Sequence, residues 1–239
     1  MVETREERFD HRGETWRRQL VVPVDRYVMG VDLGQSVDPT AIAVLHHRIE
    51  PRDDWEIIHK DRVTRQRASE TFDVRHLERV ALGVSYPEIV QHTMTLLARP
   101  PLRDGCDFVI DETGVGRAVG DMFDAAGLAP IKVQITAGNE VTSLGARRWG
   151  VPKALLVSTL DARLHGGELR FAAALAEGAA MAEELKDFQR HVTAAGRATY
   201  AARTGRHDDL VLAVAIALWR AVSARHGSST RTGFVQGMW

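Results

Sequence analysis

Four aspartates stand where an acid could do chemistry. Asp32 ends the apolar run of residues 27–32 (Tyr-Val-Met-Gly-Val-Asp), and Asp111 ends a second run, residues 107–111 (Asp-Phe-Val-Ile-Asp). Asp208 and Asp209 open a strongly apolar stretch just after His207. A short apolar run reads as a buried strand whose last residue emerges into a loop. In an open α/β sheet, sites form at the C-terminal ends of strands. If the two strands are parallel neighbours, Asp32 and Asp111 share a crevice, and a helix starting Asp-Asp can deliver a third carboxylate. Carboxylates so gathered repel each other and stay ionised only beside strong positive charge. With a single cysteine and no His-x-x-x-His helix, zinc is disfavoured. Oxygen ligands suit Mg²⁺ or Mn²⁺. Two such ions about 3.5–4 Å apart form the usual clamp for in-line displacement at a phosphodiester. The plain alternative is that Asp32 and Asp111 are turn residues and that Asp208 and Asp209 cap a helix.

The elements needed to hold these acids can be read along the chain. Residues 27–32 and 40–47 are predicted strands, joined by a short link with Gly34, Asp38 and Pro39 that predicts a hairpin. Residues 55–63 read as a third strand. Residues 87–98 have helical spacing and stop at Pro100-Pro101. Residues 107–111 are a strand, 114–126 a loop and helix closed by Gly127, and 131–135 a further strand. Residues 138–150 are polar and Gly-bearing and read as a mobile loop. A helix is expected over 151–165, with Pro152 in its first turn. A short extended piece (168–171), a helix (175–190), a strand pair around Ala195-Gly196 (191–203) and an apolar helix (208–224) complete the order. One mixed α/β domain is the simplest account, with a charged arm at 1–24, the domain at 25–226 and a flexible tail at 227–239.

Composition narrows the classes. Of 239 residues, 44% are hydrophobic and 26% charged, which excludes a disordered or fibrous chain. Lys and Arg number 31 against 32 Asp and Glu, so no global positive charge advertises nucleic acid. Cys106 cannot form an internal disulfide, and a reducing cytoplasm is the expected setting. Residues 1–20 lack an apolar signal segment, and the apolar run 210–219 is too short for a bilayer. No membrane partner is expected.

Three segments together resemble a known family. Gly30-Val31-Asp32-Leu33-Gly34 followed by Asp38-Pro39-Thr40-Ala41 resembles the first strand and hairpin of the nuclease domain of phage large terminase subunits. Asp111-Glu112-Thr113-Gly114-Val115-Gly116 is similar to that domain's second acidic motif. Glu184-Leu185, with His207-Asp208-Asp209-Leu210-Val211-Leu212-Ala213, is similar to its last motif. The likeness runs over residues 27–220. It implies a ribonuclease H-like α/β fold with a central mixed sheet flanked by helices. It also implies a metal-dependent endonuclease that cuts viral double-stranded DNA during packaging in the host cytoplasm. Carried over, Asp32 would bridge two ions, Asp111 would hold one, and Asp208 or Asp209 would supply the third ligand. Successive helical residues point about 100° apart, so one of that pair faces inward, and Asp209 is preferred. Asp38 and Glu112 are weaker candidates.

A whole large terminase also carries a packaging ATPase with a Gly-x-x-x-x-Gly-Lys-Ser/Thr loop. None of the four lysines, Lys60, Lys132, Lys153 and Lys186, lies in such a run. The chain reads as the nuclease part alone, whose partners would be DNA, a packaging ATPase domain and other terminase or portal components. Lys153, Arg147 and Arg148 beside the loop, and Arg203 and Arg206 before the last helix, are candidate phosphate contacts. His207 is a candidate proton shuttle. No base-reading helix or finger is evident, so little sequence specificity is expected. A non-catalytic interaction module is the blandest alternative, and three more specific ones stand beside it. One is a Holliday-junction resolvase with the same chemistry. Another is an actin-like ATPase or sugar kinase, on Gly30 to Gly34. The third is a dinucleotide fold on Gly114, Gly116 and Gly120, whose spacing is one residue late.

Overall fold

The computed structural model describes residues 2–34, 38–114, 116–194 and 208–224. At its centre, β3 (Val24–Asp32) pairs antiparallel with β4 (Ala41–Ile58) and parallel with β6 (Cys106–Asp111). Beyond β6 lie β7 (Ile131–Thr136) and β9 (Arg148–Pro152), both parallel, and β8 (Thr142–Gly145), antiparallel to β9. On the other side β5 (Val63–Arg79) runs antiparallel to β4. Outside β5 comes β2 (Glu14–Val21), then β1 (Thr4–His11). The short β10 (Leu169–Phe171) also pairs with β5. These ten strands form one mixed sheet.

Helices cover both faces. α3 (Lys153–His165), α4 (Gly178–Ala194) and α5 (Asp209–Ser223) lie on one side, α1 (Tyr86–Leu97) and α2 (Gly116–Ala125) on the other. Strand alternation divides the core between them: Val28, Ala41, Ala43 and Val109 pack toward α5, while Met29, Val31, Ile42 and Ile110 pack toward α1 and α2. α5 is buried from Asp209 to Trp219, as an all-round apolar helix must be. It lies directly on β3. A Cβ on Gly30 would come within 2.3 Å of the Ala213 carbonyl oxygen, so only glycine allows this approach.

Several segments differ from the sequence reading. Within the charged arm, β1 and β2 form a hairpin whose two loop residues, Arg12 and Gly13, both have positive φ, as the tight turn between twisted strands requires. Residues 55–58 end β4 rather than starting a new strand, and β5 had no predicted counterpart. The outer halves of these two strands extend past β3, whose pairing with β4 ends at Ile49, and the residues there are mostly exposed in β4 and mostly half-buried in β5. The hydrophobic alternation that marks a strand with one buried face is missing there. The expected mobile loop at 138–150 holds β8 and most of β9, and Val151 and Pro152 belong to β9, so α3 starts at Lys153. The strand pair expected over 191–203 meets helix α4 up to Ala194, and its remainder lies outside the described residues, as does the tail at 227–239. No helix among the described residues is long and apolar enough to cross a membrane.

Candidate active site

Alternation sends the two strand-end acids to one side. Val28 of β3 and Val109 of β6 face α5, and so, by the period of two, do Asp32 and Asp111. The two are register partners on adjacent parallel strands, which lie about 4.8 Å apart. Thr113 orients Asp111: its backbone N–H donates to Asp111 Oδ1 at 2.8 Å and its hydroxyl makes a second, very short bond to the same oxygen. The Thr113 hydroxyl in turn accepts the Ile135 N–H at 2.7 Å, tying the turn to β7.

The start of α5 supplies the other acids, and Asp208 stands at the N-cap position without capping through its side chain. Asp208 precedes the helix and makes no side-chain capping bond; its Oδ2 accepts from Lys153 Nζ at 2.7 Å. The Val211 N–H in the first turn is met instead by Glu184 Oε2, reaching across from α4 at 3.0 Å. Asp209, only 4% exposed, accepts from Arg79 Nε at 2.7 Å through Oδ2. The preference for Asp209 as the inward acid assumed two helical residues. With φ −129° and ψ 14°, Asp208 lies outside the helix, so the 100° argument does not govern it. Asp32 feels the charge of Asp208 more strongly than that of Asp209.

Lys153 stands among these acids as the first residue of α3. A cation at a helix N-terminus opposes the helix dipole, and the carboxylates offset this. Burial first, then the charges of Asp111, Asp208 and Asp209, hold the Asp32 carboxyl well above its ordinary range, against the pull of Lys153. Burial pushes Asp111 up to about 6, although both Thr113 bonds and Lys153 oppose it. Burial also pushes Glu184 up to about 8; the charges of Asp209 and Asp208 add, while the Val211 N–H and Arg79 counteract. The crevice holds more acid than it neutralises.

The other candidates lie elsewhere. Glu112 points to the opposite face, buried beneath α2, and both its oxygens accept from Arg148. That fork engages Arg148 inside the fold. Arg147 is exposed and bonds Asp124 at 3.0 Å. Asp38 is exposed beside Gly34. Arg203, Arg206 and His207 lie outside the described residues. Arg79 escaped the sequence reading altogether, and Glu184 entered it only through the resemblance.

The donors fit a hard divalent cation. Asp32, Asp111, Asp208 and Asp209 offer only carboxylate oxygens, and a cation among them would relieve the repulsion that raises the Asp32 carboxyl above its ordinary range. Among the described residues no three His, Cys, Asp or Glu side chains form a ready-made chelating group. Asp208 is paired with Lys153, Asp209 with Arg79, and Asp111 with Thr113.

No protein-family model matches the chain, and no curated protein matches it. Among solved structures it is similar to the large terminase nuclease from thermophilic phage G20c, at 20% identity and a TM-score of 0.50, over 84% of this chain and 87% of that one. It is also similar to the Mn-soaked terminase nuclease domain of human cytomegalovirus, at 13% identity and a TM-score of 0.48, over 82% and 84%. The first of these likenesses bears out the fold expected from the three motifs: the chain has the ribonuclease H-like fold of the phage terminase nuclease.

Proposed function

We propose that the chain is a divalent-metal-dependent DNA endonuclease of the terminase type, cutting phosphodiesters with two Mg²⁺ or Mn²⁺ ions and little sequence specificity. The observation that carries this reading is the register pairing of Asp32 with Asp111, with Asp208 and Asp209 close enough to raise the Asp32 pKa. Turn-making and capping do not account for it, because the Asp208 side chain makes no capping bond and Asp32 is set beside a like charge. The shared fold supports the same reading.

Asp32, Asp111, Asp208 and Asp209 are the residues that would hold the ions. Such ions, once bound, stabilise the attacking and leaving oxygens of an in-line displacement. The chain's own groups do the rest. Thr113 fixes the Asp111 carboxylate, and α5, seated on Gly30, fixes the third acid against the sheet. Lys153, a cation set among the carboxylates, is assigned the scissile phosphate; releasing Asp208 would free both groups for their partners. Arg147, Arg203 and Arg206 are proposed as contacts to the backbone of double-stranded DNA. Arg148 is withdrawn from that set, because Glu112 holds its guanidinium. The biological partner would be a packaging ATPase domain with other terminase or portal components, in the host cytoplasm.

Purified protein with Mn²⁺ or Mg²⁺ should nick or linearise supercoiled plasmid, and EDTA should abolish this. Cutting that survives chelation, or no cutting with either ion, overturns the reading. Binding should weaken steeply with salt, since phosphate contacts dominate.

A further inference from the structure

One cation in the crevice has no part in the function proposed above. Arg79 is the last residue of β5, and it lies in the same cross-strand row as Ala41, Asp32 and Asp111. It faces α5 because of a local irregularity. Leu45 of β4 pairs with Val74 and Val44 with His76, so β5 carries one extra residue, Arg75. Phe72 and Val74 face α5 before this bulge, and Leu77 faces α5 after it. Alternation carried unbroken from Phe72 and Val74 through residue 75 would turn Arg79 to the α1 side; bulges re-aim side chains in this way.

The guanidinium then joins three elements. Its Nε donates to Asp209 Oδ2 at 2.7 Å, and its Nη2 makes a very short bond to Glu184 Oε1. Nη1 stands 3.7 Å from Glu177 Oε2. The second oxygen of Glu184 accepts the Val211 N–H at 3.0 Å, in the first turn of α5. One planar fork from the sheet thus grips Asp209 directly and the start of α5 through Glu184. The small side chain of Ala41, the register partner of both Arg79 and Asp32, separates them in the row.

We propose that Arg79 is a positioning residue of the carboxylate site: it sets where Asp208 and Asp209 can place their oxygens beside Asp32. The inference rests on the nuclease reading but names a residue outside the acid set. Arginine suits the task because its rigid donors meet two carboxylates at once, whereas a lysine ammonium is a point charge on a flexible stem. Partners that orient a ligand typically change metal affinity by about 10–100-fold when removed.

The test uses the full chain. Mn²⁺ affinity is measured by calorimetry, plasmid binding without metal by gel shift, and folding by thermal melting, for wild type, Arg79→Lys and Arg79→Gln. The expected result is Mn²⁺ binding at least about 10-fold weaker in Arg79→Gln. Arg79→Lys should lie between it and wild type, with metal-free DNA binding unchanged in both. Unchanged Mn²⁺ affinity in a folded Arg79→Gln protein overturns the proposal, because a purely structural arginine would move the melting temperature alone. Should both Arg79 variants fail to fold, Glu184→Gln reads the same link. It keeps an acceptor for Val211 and removes the charge that Arg79 grips; weaker Mn²⁺ binding is expected, and unchanged binding overturns the proposal. Failure of the wild type to bind Mn²⁺ strikes the nuclease reading itself and is thereby told apart from a failure of the Arg79 role.

Discussion

Asp111 and Glu112 are consecutive acids at the end of one strand, yet they enter opposite electrostatic worlds. Asp111 faces α5 and joins Asp32, Asp208, Asp209 and Glu184, where Lys153 and Arg79 are the cations in contact with these acids among the described residues. Glu112 faces α2, where Arg148, Lys132 and Arg147 meet Glu112, Asp121 and Asp124. There every buried charge has a partner: Lys132 Nζ lies 2.6 Å from Asp124 and 3.2 Å from Asp121. Gly120 lets α2 close over this network, since a Cβ there would come within 2.7 Å of Glu112 Oε2. Balanced charge on one face is what a stable fold requires. Surplus negative charge on the other is a standing cost, and proteins keep such strain where function uses it.

The sharpest way to break this comparison is to neutralise each acid in turn. Asp111→Asn should lower plasmid cutting by at least about 100-fold, the scale of losing one transition-state electrostatic group. Its melting temperature should hold or rise, because a repelled buried charge is gone. Should Asp111→Asn instead unfold the protein, that acid is structural. Glu112→Gln should do the reverse. Removing one partner of a buried ion pair costs roughly 3–5 kcal/mol, and the lower end is expected because Arg148 keeps some solvent access. Cutting per folded molecule should change by no more than a few-fold; a folded Glu112→Gln protein that cannot cut would erase the distinction between the two faces.

A smaller effect separates the faces by pH in metal-free protein. The folded Asp111 carboxyl has a pKa of about 6, above the unfolded value of about 3.9. Its stabilising contribution is therefore complete below the unfolded pKa and is lost as pH rises through about 6. The melting-temperature advantage of Asp111→Asn over wild type should be absent near pH 4, grow toward pH 6 and level off above it. An advantage that is the same at pH 4 and pH 8 would show that Asp111 is not raised.

Much of the fold was legible because its central elements are strongly apolar. The hairpin of β3 and β4, the strands β6 and β7, helix α1 and the buried α5 all carry clear periodicity, and their acids could be located at the ends. The rim was less legible. β1 is largely exposed, β2 and the outer half of β5 are partly so, and all are rich in charge, so no hydrophobic pattern betrays them. β8 and β9 form around Gly145 and Arg147, both at positive φ, and their polar, Gly-bearing sequence reads as a loop. At the site, Arg79 was hidden by the bulge at Arg75, since a register shift has no signature in the alternation of so polar a strand. Arg148 looked like a DNA contact until the fold set it opposite Glu112.

The amino-acid sequence alone determined which residues end apolar strands, and hence that Asp32 and Asp111 emerge at strand termini and that Asp208 and Asp209 begin a buried helix. These are local consequences of side-chain periodicity and burial. Only the tertiary structure decided that β3 and β6 are parallel neighbours in register, that Asp208 faces Lys153 while Asp209 faces Arg79, and that Glu112 is neutralised on the far side. Those outcomes depend on which strands pair and how helices dock, so they are set by packing between segments distant along the chain.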